Sequence, residues 1–89
     1  MRRRGAMANV QKAYNKVIEG RGSVSFRDLQ RLLITLGFRL DRISGSHHIY
    51  LHPDVSRPIN IQPAGKDAKP YQIRQLRDII REFGLKLED

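Results

Sequence analysis

The chain has no cysteine and no tryptophan among its 89 residues. Without a thiol it offers no cysteine nucleophile, no disulfide and no Cys-based zinc site. The same absence fits a reducing compartment. No apolar run approaches the ~20 residues of a membrane span, and Met1-Arg2-Arg3-Arg4 is not followed by the apolar stretch of a signal peptide. A cytoplasmic protein with no membrane partner is expected. Acidic residues are scarce: nine Asp and Glu stand against 17 Lys and Arg, giving a formal charge of +8 and a pI near 10.6. That excess goes beyond what solubility needs and points to a polyanionic partner, whether RNA, DNA or an acidic protein. An anionic membrane would require a strongly amphipathic basic helix with bulky apolar anchors, which the weak N-terminal helix does not supply.

A chain this short has room for one domain with a thin core. Residues 1–8 are basic and small without periodicity, and are expected to be disordered. The single domain then runs over 9–89, with an N-terminal helix over 9–20 and a core over 23–85. Asn9 would cap that first helix, in which Val10, Ala13, Tyr14, Val17 and Ile18 share a face before Gly20-Arg21-Gly22. A second helix is capped by Ser25, with Asp28 in its first turn, Leu29, Leu32, Leu33 and Leu36 at helical spacing, and Gly37 as its stop.

Three short strands follow. In the first, Phe38 and Leu40 are expected to face inward; in the second, Ile49 and Leu51 inward with His48, Tyr50 and His52 outward; in the third, Ile59 and Ile61 inward with Asn60 and Gln62 outward. Gly45-Ser46 and Pro53-Asp54 supply the turns, and residues 63–67 a basic loop. Pro70 opens a last helix with Ile73, Leu76, Ile80 and Phe83 as its stripe and Gly84 as its end. The fold class is therefore α+β: a three-stranded antiparallel sheet with helices on one face, an α-β-β-β-α core plus an N-terminal helix. A core of this order resembles the double-stranded-RNA-binding domain, although fold likeness alone does not establish RNA binding.

Chemistry concentrates in Gly45-Ser46-His47-His48-Ile49-Tyr50, where a tight turn hands two imidazoles to the start of a strand. Histidine, with an unperturbed pKa of ~6.5, both takes and gives protons near neutrality. An ordinary amphipathic strand has the same composition, so spacing alone leaves both readings open. Ser46 lacks a base and an orienting acid in any recognisable spacing, so it is a turn residue suited to binding phosphate rather than a nucleophile. Tyr50 either stacks a base or covers the sheet. His47 points to the opposite face from His48 and His52, and no Cys or acidic pair completes a coordination sphere, so no metal and no cofactor are expected. Lys66 and Lys69 precede the last helix, whose N-terminus offers N–H groups to a phosphate. Arg74, Arg77 and Arg81 recur along that helix, either as a solvated face or as an RNA contact, with Arg74 the RNA-binding candidate among them.

Ser25–Phe38 reads SFRDLQRLLITLGF, GSHHIYLHP follows, and KPYQIRQLRDII comes after a further short strand. In this order the chain resembles the HicA family of toxin messenger-RNA interferases over about Ser25–Leu85, most strongly in LGF followed by GSHH. The resemblance implies a toxin that binds and cleaves messenger RNA without a metal cofactor, paired with a HicB-type antitoxin. It also implies that His47 is the catalytic histidine, with His48 the second choice, while Ser46, Tyr50, Lys66, Lys69 and Arg74 are RNA-contact candidates on their own chemistry. Two departures stand out: Gln62-Pro63-Ala64-Gly65 lies where many members carry another histidine, and KPYQIRQL replaces a Gly-Thr-Leu helix start. The alternative from another class is a noncatalytic RNA- or DNA-binding module.

Overall fold

The computed structural model describes residues 4–87, with side chains from residue 9 onward. Helix α1 spans Arg4–Glu19 and so begins well before Asn9, which lies inside it rather than capping it. Ala6, Met7 and Ala8 are good helix formers and nothing from there to Glu19 breaks a helix, so part of the stretch expected to be disordered is helical. Residues 1–3 of that stretch lie outside the described residues. Val10, Ala13 and Val17 are buried, and α1 packs chiefly against α2 and α3.

Helix α2 spans Phe26–Thr35, and the Asp28 N–H donates to Ser25 Oγ at 3.0 Å, as the cap predicts. Its Leu29, Leu32 and Leu33 have no exposed surface. Three antiparallel strands follow in the order β1 (Arg39–Ser44), β2 (His47–His52) and β3 (Val55–Ile61). The β1–β2 connection is the two-residue Gly45-Ser46 turn, with φ +63° at Gly45 alone, the pattern of a II′ hairpin turn. In the β1–β2 ladder Leu40 pairs with Tyr50 but Arg42 pairs with Ile49, so Asp41 is a bulge.

That bulge reverses the expected inward face of β2. An extra residue shifts alternation by one, so Ile43 and His48 share the helix-covered face while Ser44 and His47 share the open one. The expectation that Ile49 and Leu51 point inward is overturned: Tyr50 is buried at 3% exposure opposite Ile59, and Ile49 and Leu51 lie half-buried on the open face. Leu40 does share the covered face with Tyr50, but it sits on an edge strand that the helices do not reach and stays exposed. Ile59 and Ile61 point inward as expected.

The basic loop is itself a small hairpin, β4 (Pro63–Ala64) against β5 (Asp67–Ala68). It docks on the approach to α2 through Phe26 N–H to Lys66 O at 2.8 Å and Ala68 N–H to Val24 O at 2.9 Å. Helix α3 spans Pro70–Phe83 and buries Leu76, Ile79 and Ile80, with Ile73 and Phe83 partly covered. Arg57 on β3 ties it to the sheet through Glu82 at 2.9 Å. The architecture is thus α+β and double-stranded-RNA-binding-domain-like, with a three-stranded antiparallel sheet and three helices. Among the described residues no helix is long and apolar enough to cross a membrane.

Candidate active site

His47 opens β2 immediately after the turn and projects, exposed, from the open face of the sheet. Its Nδ1 lies 3.0 Å from Asn60 Oδ1. Asn60 is on that face because Ile59 and Ile61 on either side point into the core, and its cross-strand partner is Ile49. With the amide oxygen as acceptor, Nδ1 carries the proton and donates it, which leaves the Nε2 lone pair of a neutral ring facing solvent. An imidazole held in this tautomer can accept a proton at Nε2 and then, charged, return one.

The register places Arg39 and Arg42 on the same face, opposite Leu51 and Ile49 respectively. Arg42 is paired with Asp41 at 2.8 Å, an exposed bridge of little energetic weight. Sequence reasoning passed over Arg39, Arg42 and Asn60, because placing them beside His47 requires the bulge.

Ser46 donates to Gln62 Oε1 at 3.2 Å, so its hydroxyl proton is engaged at the rim of the site. Behind it, the wholly buried Gln72 on α3 holds the Gln62 backbone, its amide nitrogen 3.2 Å from Gln62 O and its amide oxygen 2.9 Å from Gln62 N. This pairing satisfies the side chain and fixes the end of β3 to the first turn of α3.

The other two histidines are placed differently. His48 lies across the sheet from His47, with Nδ1 3.2 Å from Ser46 O and its ring edge-on to Phe26 at 5.1 Å. Neighbours on one strand face opposite ways, so the two imidazoles do not converge on one reacting group. His52 accepts from the Asp54 N–H at 3.0 Å, donates through Nε2 to Leu36 O at 3.0 Å and packs edge-on against Phe38 at 4.8 Å. It is a structural clamp between β2 and the end of α2. Tyr50, expected outward, is instead in the core with its hydroxyl accepting from Gln30 Nε2 at 3.2 Å, so it covers the sheet and has no face free for a base.

Lys66 sits at the tip of the β4–β5 hairpin, where its carbonyl holds Phe26 N–H, and Phe26 in turn meets His48. The loop therefore adjoins the His48 side of the sheet, away from His47. The α3 N-terminus offers less than expected to a phosphate, since Pro70 has no N–H and those of Gln72 and Ile73 already bond to Lys69 O. Arg74 is exposed on α3, whereas Arg77 and Arg81 turn toward the end of α1.

The family model described as HicA toxin of bacterial toxin-antitoxin matches residues 26–85. The match spans α2, the whole sheet and α3, and it contains every candidate site residue named above. No curated protein and no solved structure matches the chain.

Proposed function

Since the chain belongs to the HicA family of bacterial toxin–antitoxin toxins, we propose that it acts on messenger RNA in the cytoplasm as an endoribonuclease with His47 as the acid/base. The observation that carries this reading is the exposed imidazole at the start of β2, its Nδ1 bonded to Asn60 and its Nε2 open, on a sheet face that also bears Arg39 and Arg42.

In this reading Nε2 takes the proton of a ribose 2′-OH as that oxygen attacks the adjacent phosphorus. Negative charge grows on the phosphorane oxygens, and Arg39 and Arg42 are the cations that the register puts on the same face as His47. The P–O5′ bond breaks, and the imidazolium returns its proton to the leaving 5′-oxygen. The products are a 2′,3′-cyclic phosphate and a 5′-hydroxyl, and the protein ends in the protonation state in which it began. Ser46 at the rim binds a backbone phosphate of the flanking strand, and Lys66, Lys69 and Arg74, on the His48 side of the sheet, bind phosphates where that strand continues round the sheet edge. Control is external: a HicB-type antitoxin covers the site.

The test is cleavage of single-stranded RNA by the purified chain in EDTA, with the ends identified by mass spectrometry. The wild type should give cyclic-phosphate and 5′-hydroxyl ends, and His47→Ala should lose cleavage by about 10²–10⁴-fold while keeping its circular dichroism spectrum and RNA affinity. A wild type that binds RNA but leaves it intact would make the noncatalytic module the correct reading.

A further inference from the structure

A cavity of about 460 Å³ opens between the α1–α2 connection, the β4–β5 hairpin and the first half of α3. It shares no residue with the His47, Asn60, Ser46 and Gln62 cluster, and its volume falls within the ~300–1,000 Å³ of small-ligand sites. Val24, Ala68 and Ile73 form an apolar wall, and Asp67, Arg74 and Arg77 bring charge to it.

Arg77 is the residue whose placement needs a reason. Its guanidinium lies so close over Gly20 that a Cβ there would stand 2.6 Å from Nη1, at a φ of +70° that already disfavours any other residue. The end of α1 has a cation of its own, since Arg81 reaches Ile18 O at 3.4 Å. Among the described residues Arg77 makes no side-chain hydrogen bond or ion pair, and its Nε is buried without a partner. With Nε closed off, the part of Arg77 that a ligand can meet is the outer end of the guanidinium, which lies against Gly20 in the cavity lining. Arg74, one turn earlier on the same helix, is also unpaired, and Asp67 bridges to neither arginine. Two free guanidiniums suit a phosphate, a carboxylate beside them accepts from hydroxyls, and an apolar wall suits the face of a base.

We propose that this cavity binds a nucleoside monophosphate unit, with its phosphate on Arg77 and Arg74, its ribose hydroxyls toward Asp67 and its base against Val24, Ala68 and Ile73. The inference goes beyond the cleavage reading, because it requires no reaction at His47. The same chemistry is presented by a free nucleotide and by one nucleotide of an RNA strand.

Calorimetric titration of the full chain at low salt with uridine 5′-monophosphate, adenosine 5′-monophosphate, uridine and inorganic phosphate tests the site without reference to cleavage. The monophosphates should bind saturably, at one site, about tenfold tighter than phosphate or uridine alone. Arg77→Gln and Arg74→Gln should each weaken them by about tenfold, the loss of one charge-assisted bond, and His47→Ala should leave the affinity unchanged. Arg74 is exposed, so Arg74→Gln carries the test if Arg77→Gln melts early. Displacement of bound uridine monophosphate by a 2′-O-methyl oligoribonucleotide identifies a strand as the source; retention identifies the free nucleotide. The proposal is overturned if no monophosphate binds, if phosphate alone binds as tightly, or if Arg74→Gln binds like the wild type.

Discussion

The three histidines fall within six residues, yet the structure gives them three different tasks. His52 has both ring nitrogens engaged by backbone groups, His48 rests on Phe26, and His47 alone combines exposure with a fixed Nδ1 partner. The proposed mechanism therefore turns on one pair, His47 and Asn60. Asn60 does not meet the reacting atoms; it is a positioning residue that keeps the proton on Nδ1 and the ring at one angle. Asn60→Ala frees the ring to rotate and to exchange tautomers, and small misplacements of a reacting group cost up to about 10²-fold. We expect kcat to fall by about 10- to 100-fold with KM unchanged, and Asn60→Asp, which retains an acceptor at the same place, to restore most of it. Steady-state kinetics on a short oligoribonucleotide reads both. An equal loss in KM would mean that Asn60 binds RNA rather than orienting the imidazole.

At the scale of the elements, α2 and the sheet are joined where the helix stops. Gly37 has φ +103°, and a Cβ on it would stand 2.9 Å from His52 Nε2, the atom held by Leu36 O. Gly37→Ala should therefore cost roughly 1–3 kcal/mol through backbone strain and the displaced ring. His52→Ala in the same chain should cost less than the sum of the two single changes, because the clash is gone while the strain remains. Urea unfolding of the four proteins measures the cycle, and strict additivity would show that the ring and the glycine do not interact. The type and order of the helices and of the three sheet strands were legible in the sequence because the signals are local, such as the Ser25 cap, the leucine spacing of α2, the Gly45-Ser46 turn and Pro70, while the β4–β5 hairpin read only as a loop. The facing of β2 was not. Asp41 bulges within Arg39-Leu40-Asp41-Arg42, which has no Gly or Pro to mark it, and one unmarked extra residue inverted every side chain up to the turn and beyond. Hydrophobicity added to the error by favouring Ile49 and Leu51. The covered face instead takes Tyr50 and His52, rings whose polar atoms find Gln30 and the α2 carbonyl end. His47 is legible in its motif, but Asn60 and the two arginines on the same face are found only through the register.

On the scale of the whole molecule, the helices pack over the face that carries Tyr50, Ile59 and Ile61, and among the described residues His47, Arg39 and Arg42 are exposed on the opposite face, in a chain of net charge +8. Family membership supplies a toxin–antitoxin partner, and the uncovered face is where a partner would have to sit to control the proposed chemistry directly. An acidic antitoxin domain would be steered to it by charge and would exclude RNA by occupying the same ground. Expression of the chain alone should then arrest growth, and co-expression of the cognate antitoxin should relieve it. The purified pair should be inactive on RNA. Arg39→Glu with Arg42→Glu should slow association with the antitoxin by at least about tenfold at low salt, with the difference shrinking as salt screens the face. His47→Ala should bind the antitoxin as the wild type does while causing no arrest, which separates toxicity from complex formation. If the charge-reversed chain associates at the wild-type rate, or if the purified complex cleaves RNA as fast as the free chain, the antitoxin acts from another surface and the open sheet face is not its seat.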